Sequence, residues 1–372
     1  MSYVRKRLIY IGLLISLALV SVTGCKSQSD GNGSRPLNES KAGAADKQAG
    51  NSQGKGKEVS APIDEDTFKQ IVLSVGSEDV YYSEAMIYFK YIESKYEAYF
   101  GSKIWDYEFD KQTFGDMAKQ EILDMIVQTK IVSSQADKYN IVLTEEEELQ
   151  IQQNASNFLS GLTEQDKAMY GLTEAVAQTF YRDNKLYENV YNAATMNVDT
   201  DVSDEEAEQI KIQQILVSTT ETNGDGKVVP MNDKMKEKEY DKAKKLLKEA
   251  RKAEDFYSFA EANTDSGQVE YTFGRGEMPE AFEKVAFSLK TGETSKIVET
   301  EEGYHILYCV SDYDEDATLE KKESVIAERQ DKFFQELYKK WAAACKVVVK
   351  EKVWNAMTFS KEAVTNETKA KK

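Results

Sequence analysis

Few side chains in this chain of 372 residues have the type and spacing that chemistry needs. The chain contains one histidine, His305, and three cysteines, Cys25, Cys309 and Cys345. A lone histidine and isolated cysteines in different predicted elements provide neither a metal site nor a disulfide framework. We therefore predict no metal and no cofactor, and a single bond between Cys309 and Cys345 remains an open alternative. His305 falls in a predicted strand, where a structural role and a role in proton transfer are both open.

Cys25 stands apart because it follows a basic and then an apolar segment. Residues 5–7 are basic, residues 8–20 are apolar, and small residues come next. This order is typical of a secretory signal, and an apolar run of about 13 residues is too short for a membrane-spanning helix. Residues 22–25 also resemble the lipobox of bacterial lipoproteins. The resemblance implies a signal peptide over 1–24, lipidation of Cys25, and anchoring at the extracytoplasmic face of the cell membrane. An uncleaved anchor is the alternative.

Composition separates a tether from a folded body. Residues 25–63 are rich in glycine, serine, asparagine, glutamine and lysine, so they cannot bury enough apolar surface to fold and are predicted to be a flexible tether. The chain is 41% hydrophobic and 30% charged, which is typical of globular domains, and its remaining length suits two of them. Its formal net charge of -17 argues against nucleic acid as a partner and favours basic or unfolded polypeptides.

The first half of the folded body is predicted to be mostly helical. Residues 70–75 and 79–82 favour a β-hairpin, after which Ser83 is the predicted N-cap of a helix. Thr144 and Glu147 have the spacing of a capping box. Aromatic side chains crowd the first helix and the loop after it, either as core or as an apolar groove for unfolded chains. They are Tyr81, Tyr82, Tyr88, Phe89, Tyr91, Tyr96, Tyr99, Phe100, Trp105, Tyr107 and Phe109.

The second half is predicted to mix strands with helices. Strands are predicted over 210–217 and 303–310, with charged amphipathic helices between them. A long helix over 317–344 and a strand over 346–350 follow. We expect this last strand to return to the N-terminal hairpin and pair near Val72.

Five short motifs occur in order between residues 211 and 311. They are Ile215-Leu216-Val217, Phe273-Gly274-Arg275-Gly276-Glu277-Met278, Phe282, Ala286-Phe287-Ser288-Leu289-Lys290-Thr291-Gly292-Glu293 and Gly303-Tyr304-His305-Ile306. On these motifs the region resembles a parvulin peptidyl-prolyl isomerase domain. Combined with helical flanks and a lipobox, it makes the chain similar to the PrsA and SurA-like extracytoplasmic foldases.

The parvulin resemblance implies roles for individual residues. It places Met278, Phe282 and Phe287 in an apolar slot that binds the proline ring of the substrate. It also implies a polar surround for the amide that rotates. The catalytic positions are His305, Gln214, Asp265 and Thr300.

Two positions depart from the parvulin pattern. The first histidine of the family is Gln214 here, and an amide can preserve a hydrogen-bond network but cannot replace a titrating pair. Glu270 stands where the family has an apolar pocket residue. Weak or lost isomerase activity is therefore an open alternative.

The fold class expected from these patterns is α+β. A helical chaperone domain is predicted from two segments, 64–202 and 316–356. A parvulin-like domain over 203–315, with a small antiparallel sheet flanked by helices, is inserted between them. Residues 357–372 are predicted to be a disordered tail.

The predicted function is that of a membrane-anchored extracytoplasmic foldase. It would bind unfolded or partly folded exported polypeptides and catalyse cis-trans isomerisation of X-Pro bonds. The alternative is a non-catalytic holdase chaperone that keeps the parvulin fold as a peptide-binding module. A solute-binding lipoprotein is a weaker third hypothesis, which the parvulin motifs disfavour. The sequence leaves the oligomeric state open.

Overall fold

The computed structural model describes residues 65–359. The predicted signal peptide over 1–24, lipidation at Cys25, the tether over 25–63 and most of the predicted tail lie outside these residues. Within 65–359, no helix has the length and apolar character needed to cross a membrane. Cys309 and Cys345 are both free thiols.

The described chain forms two compact units. The first comprises 65–136, Asn140–Tyr187 and 345–359, and the second comprises Asp137–Tyr139 and Glu188–Ala344. The N- and C-terminal parts of the described chain therefore belong to the same unit.

Helices dominate the first unit. They are α1 (Glu65–Phe68), α2 (Tyr82–Phe100), α3 (Phe114–Ser133), α4 (Glu145–Ser160), α5 (Glu164–Tyr170) and α12 (Glu351–Ala356), while α6 (Glu174–Thr195) continues into the second unit. The strands of the first unit are β1 (Ile71–Val75), β2 (Glu78–Tyr81), β3 (Glu108–Phe109), β4 (Gln112–Thr113) and β11 (Val347–Val349).

A three-stranded antiparallel sheet with the order β11-β1-β2 joins the two ends of the described chain. Leu73 pairs with Val349, and Val75 pairs with Val347. The predicted return of the C-terminal strand to the hairpin near Val72 is confirmed. The sheet continues into α12, because the Lys350 amide donates to the carbonyl of Val72 at 2.8 Å.

Helix caps show where local sequence decides an element's start. Thr113 and Thr144 both form capping boxes, so the one predicted at Thr144 is confirmed. The predicted N-cap at Ser83 is wrong, since α2 begins at Tyr82 directly after β2. The Tyr82 amide donates to the carbonyl of Gln70 at 2.9 Å, and this bond satisfies a helix-end donor that a capping side chain would otherwise take.

The core of the first unit binds the C-terminal segment to α2. Phe89 is fully buried, with its ring centroid 5.7 Å from that of Trp354 and 5.0 Å from that of Phe359. Phe359 also stacks on Trp105 at 3.9 Å. The disordered tail predicted from 357 starts too early, because Met357 and Phe359 are both buried.

The second unit contains a four-stranded antiparallel sheet with the order β8-β5-β10-β9. The strands of the unit are β5 (Ile210–Ser218), β6 (Thr220–Thr222), β7 (Val228–Pro230), β8 (Glu270–Phe273), β9 (Thr294–Glu299) and β10 (Gly303–Ser311). Its helices are α7 (Asp204–Ala207), α8 (Asp233–Ala250), α9 (Phe256–Asn263), α10 (Glu280–Ala286) and α11 (Glu315–Ala344). The predicted α+β class, with a small antiparallel sheet inserted between helical segments, is confirmed.

Strand β9 was not predicted, although it forms one edge of this sheet. The long helix α11 contacts α7, where Arg329 forms an ion pair with Glu206 at 2.8 Å. The domain boundaries at 202/203 and 315/316 concern which segments fold independently, and they stay a prediction.

Replacing Phe89 with alanine should destabilise the first unit by about 3–5 kcal/mol, because it removes a buried ring that contacts the C-terminal segment. Urea unfolding followed by tryptophan fluorescence measures the loss, since Trp105 and Trp354 report on this unit. Phe100→Ala is the matched control: Phe100 lies on the same helix but is 65% exposed, so its loss should stay within about 0.5 kcal/mol. Equal losses in the two variants would contradict the described core.

Candidate active site

The register of β5 against β10 decides which side chains meet on one face of the sheet. Leu216 lies opposite His305, and Gln214 lies opposite Leu307. Directly opposed residues of antiparallel strands project to the same face, and the side chains alternate along each strand. His305, Gln214 and the buried residue Ile212 therefore share one face, which we call the site face. The other face carries Ile215 and packs on α8 and α9.

The apolar part of the site face is built around α10. Phe282 is 4% exposed, and its ring meets the His305 ring edge to face with centroids 5.3 Å apart. The ring centroid of Phe273 lies 5.9 Å from that of Phe282 and 5.9 Å from that of Phe287. Met278 and Phe287 are only partly buried against this cluster. The three predicted slot residues are thus brought together, with Phe282 innermost.

A short turn sets the start of α10. Gly276 has φ = 81°, a left-handed conformation that glycine adopts at little cost. Its amide donates to Glu283 Oε2 at 2.6 Å. This bond ties the loop carrying Met278 to the helix carrying Phe282.

The polar part of the site face is a short row of hydrogen bonds. His305 Nε2 lies 2.7 Å from Thr300 Oγ1, and His305 Nδ1 lies 2.8 Å from Gln214 Oε1. His305 is 3% exposed, and burial lowers its pKa to about 4. The imidazole is therefore neutral at pH 7. Gln214 occupies a position in which it can bond to the ring without titrating itself.

Tyr271 joins this row and was missed by the sequence reasoning. Gln214 Nε2 donates to Tyr271 Oη at 3.1 Å. The signal that could have found it is strand alternation, because Tyr271 precedes the core residue Phe273 by two positions and so projects to the same face.

Glu270, which stands where the family has an apolar pocket residue, does not face the slot. Glu270 pairs with Gln213 in the sheet and accepts a hydrogen bond from Gln213 Nε2 at 2.8 Å. Both side chains lie on the face opposite to His305. Tyr271 takes the site-face position instead.

Asp265 lies apart from the His305 row. Its Oδ2 accepts from the Ser218 amide at 2.9 Å and forms an ion pair with Lys242 at 3.3 Å. The side chain is 40% exposed. The structure therefore brings together His305, Gln214 and Thr300 but leaves Asp265 at the end of strand β5.

Beside the slot, a shallow depression has a charged rim. Arg275 lies 4.0 Å above the Phe287 ring and forms an ion pair with Glu208 at 2.9 Å. The rim also includes Glu280 and Lys284. A peptide entering here would meet an aromatic surface between charges of both signs.

The single histidine should not titrate between pH 8 and pH 5 in the folded protein, because its pKa is lowered to about 4 by burial. The chemical shifts of the imidazole protons, followed against pH, test this. In urea the same signals should titrate near the ordinary histidine value of about 6.5. A folded midpoint above pH 6 would contradict a buried, neutral imidazole.

The same shift makes stability depend on pH with a defined sign. Between pH 6.5 and pH 4 the unfolded chain binds a proton at His305 that the folded chain does not. The contribution of His305 to the free energy of unfolding is therefore fully present above pH 6.5. It is lost as the pH drops toward 4, and the loss is roughly 3 kcal/mol in all. His305→Gln should flatten this part of the unfolding profile.

Known proteins share both the sheet unit and much of the rest of the chain. Residues 215–311 match the family model described as Rotamase, PPIC-type PPIase domain. The foldase protein PrsA of Caldanaerobacter subterraneus is 27% identical over 280 residues, covering 70% of this chain and 83% of that protein. The foldase protein PrsA of Clostridium botulinum strain Loch Maree is 22% identical over 286 residues, which cover 71% of this chain and 82% of that protein.

Solved structures that are similar to this chain include PrsA from Bacillus cereus. It is 16% identical with a TM-score of 0.30, and the match covers 79% of this chain and 95% of that chain. TbPIN1 is 24% identical with a TM-score of 0.24 and covers 28% of this chain and 99% of that one. The resemblance read from the sequence motifs is confirmed by the family match and the curated relatives. Residues 215–311 thus match a PPIC-type, or parvulin-type, PPIase domain, and about 70% of the chain is similar to PrsA foldases.

Proposed function

We propose that this protein is a membrane-anchored extracytoplasmic foldase. It binds unfolded or partly folded exported polypeptides and catalyses cis-trans isomerisation of X-Pro peptide bonds. The observation that carries the proposal is the contact of Phe282 with a buried, neutral His305, beside the partly buried Met278 and Phe287.

The chemistry of the reaction fits such a site. Rotation about a peptide bond meets a barrier of about 18–20 kcal/mol because amide resonance is lost, and no covalent bond is made or broken. Resonance separates charge in the planar amide, and the twisted amide carries less of it. An apolar site therefore favours the twisted state over the planar one, and catalysis follows if the site binds the twisted state best.

The residues divide this work between them. Met278, Phe282 and Phe287 hold the proline ring, and Phe282 forms the floor of the slot. Thr300 and Gln214 occupy both ring nitrogens of His305, so the imidazole acts as a neutral wall and not as a proton shuttle. Asp265 is left out of the catalytic set, because its contacts are with Ser218 and Lys242.

The first unit carries an exposed surface suited to unfolded chains. Tyr99 and Phe100 end α2 and are 82% and 65% exposed, and Tyr107 and Phe109 follow at 58% and 50%. We call these four residues the aromatic patch. In the crowded aromatic segment these four residues are exposed, as is Tyr81, whereas Phe89 and Tyr88 are buried.

Charge around the aromatic patch selects its partner. Asp106, Glu108 and Asp110 are exposed and alternate with Tyr107 and Phe109 in the sequence, and they outnumber the exposed Lys103 and Lys111 of the same segment. Aromatic surface with acidic neighbours complements a polypeptide segment that carries apolar and basic side chains, and it repels anionic lipid. We therefore propose that the patch binds basic, unfolded segments of exported chains. The same surface supports the holdase alternative, in which the second unit binds peptide without catalysis.

The anchor is proposed from the sequence alone. Cys25 closes a lipobox-like stretch, and the residues that follow it have the composition of a tether. A lipid on this cysteine would hold the folded units near the membrane from which exported chains emerge.

Met278→Ala should lower kcat/KM for a proline-containing peptide about fivefold to tenfold, because it removes part of the apolar slot. A protease-free isomerisation assay on the protein lacking residues 1–25 measures this. The double variant Phe282→Ala, His305→Ala should fall to the uncatalysed rate. Phe282 is core, so circular dichroism must first show that the double variant is folded.

Phe333→Ala is the control for the assay. Phe333 is 46% exposed on α11 and belongs to the same unit, so its rate should equal that of the unaltered protein. An unaltered protein no faster than the folded double variant would overturn the catalytic proposal and leave the holdase alternative.

Changing all four residues of the aromatic patch to serine should weaken client binding. The concentration that halves the aggregation of a reduced, basic client such as lysozyme should rise about tenfold, since buried aromatic anchors dominate such contacts. Tyr257→Ser, Tyr313→Ser is the control, because it removes exposed aromatic residues of the second unit.

Unchanged suppression by the patch variant would contradict the proposed surface. The proposal would also be contradicted if the patch variant lost binding to neutral phospholipid vesicles but still suppressed aggregation of the client. The patch would then be a membrane contact. Suppression of an acidic client equal to that of lysozyme would contradict the argument from charge.

A further inference from the structure

The hydrogen bonds of the site face continue beyond His305 in both directions. From one end to the other, the row runs through Thr300, His305, Gln214 and Tyr271. Each end meets a backbone group that has a single hydrogen-bonding role. The direction of the whole row can therefore be worked out from one of its ends.

At one end, the Glu302 amide donates to Thr300 Oγ1 at 3.2 Å. The hydroxyl accepts this bond, so its own proton is available for His305 Nε2, which lies 2.7 Å away. This arrangement allows Nε2 to accept but does not require it, because the hydroxyl oxygen has a second lone pair with which it could accept from an Nε2 proton.

At the other end, Tyr271 Oη donates to the carbonyl oxygen of Gln268 at 3.2 Å. A carbonyl can only accept, and a phenol has one proton to give. Tyr271 Oη must then accept from its remaining partners, among them Gln214 Nε2 at 3.1 Å. The neighbouring Ser266 Oγ, at 3.3 Å, accepts from the Gln268 amide and so has its proton free for Tyr271.

The middle of the row follows from the second end. With its NH₂ group directed at Tyr271, the Gln214 amide presents Oε1 to His305 Nδ1 at 2.8 Å. An amide oxygen only accepts, so Nδ1 carries the ring proton. A neutral imidazole has one N–H, which leaves Nε2 as the acceptor. The Tyr271 end therefore sets the tautomer, and the Thr300 end is compatible with it.

We infer that Tyr271 is a positioning residue that acts through Gln214 to hold His305 in the tautomer protonated at Nδ1. The inference rests on the proposed isomerase site, where it explains how a chain with one histidine keeps the polar wall of the slot fully bonded. With both nitrogens occupied, the ring offers no free donor to the prolyl carbonyl and meets Phe282 only through its carbon–hydrogen edges or face. Without the phenol, Gln214 can turn over and either tautomer becomes available.

The single histidine makes the test direct. Uniformly ¹⁵N-labelled protein, with any histidine tag removed, gives one pair of imidazole nitrogen signals. Two-bond nitrogen–proton correlations at pH 7 show which nitrogen is protonated. The unaltered protein should show the proton on Nδ1. Tyr271→Phe should move both nitrogen shifts toward each other, as the second tautomer gains population.

Tyr308→Phe is the matched control. Tyr308 lies on the same sheet but packs on the opposite face, against Phe256. It should leave the imidazole shifts in place. Backbone amide spectra of both variants confirm that each is folded. Unmoved imidazole shifts in Tyr271→Phe, or a proton on Nε2 in the unaltered protein, would overturn the inference.

An activity measurement separates this inference from the proposed function. Tyr271→Phe should lower kcat/KM about threefold to tenfold, the size of one net hydrogen bond. If the unaltered protein is no isomerase but the shifts move, the positioning role stands and the proposed function fails. If it is an isomerase and the shifts stay, the positioning role fails and the function stands.

Discussion

The pairing of β11 with β1 is the constraint on which the rest of the structure depends. Three residues of β11 bond to the N-terminal hairpin, and the aromatic rings of Trp354 and Phe359 pack on Phe89 just after it. Because both ends of the described chain belong to one unit, the segment Glu188–Ala344 must leave that unit and return to it. The sheet that bears the site is an insertion for this reason, and its strands pair only among themselves.

Within the second unit, the site depends on keeping charge out. His305 is buried and neutral, its two nitrogens are bonded to uncharged groups, and Phe282 covers one side of it. The acidic residues that the sequence placed nearby lie elsewhere, Glu270 on the other face of the sheet and Asp265 at a strand end. Gln214 suits this design because an amide supplies both a donor and an acceptor and remains neutral at every pH at which the protein is folded.

Much of the fold could be predicted because its signals are local. Residues only a few positions apart in the sequence determine several elements. These are the hairpin near Val72, the capping box at Thr144 and the apolar strands around Leu216 and His305. The slot residues could be predicted only through resemblance, since Met278, Phe282 and Phe287 have no local pattern that distinguishes a slot from a core.

The remainder depends on register and tertiary contact, which sequence spacing does not show. Strand alternation puts Tyr271 on the same face as Phe273, but only the pairing of β8 with β5 shows that this is the face of His305 and that Glu270 lies on the other one. Strand β9 is short and polar on one side, and it was missed. The division of the aromatic segment into core and exposed patch depended on which rings the C-terminal segment covers.

The position of β11 after the second unit also imposes an order of assembly. A polypeptide that emerges from a translocation channel with its N-terminus first presents β1 early, but the partner strand β11 follows only after the whole second unit. The four-stranded sheet is complete once β10 has emerged, and it needs nothing that comes later for its strand pairing. On the proposed route of export, the sheet that bears the slot can therefore form before the helical unit is complete, and for that interval the protein is itself an incompletely folded chain, like those we propose it binds.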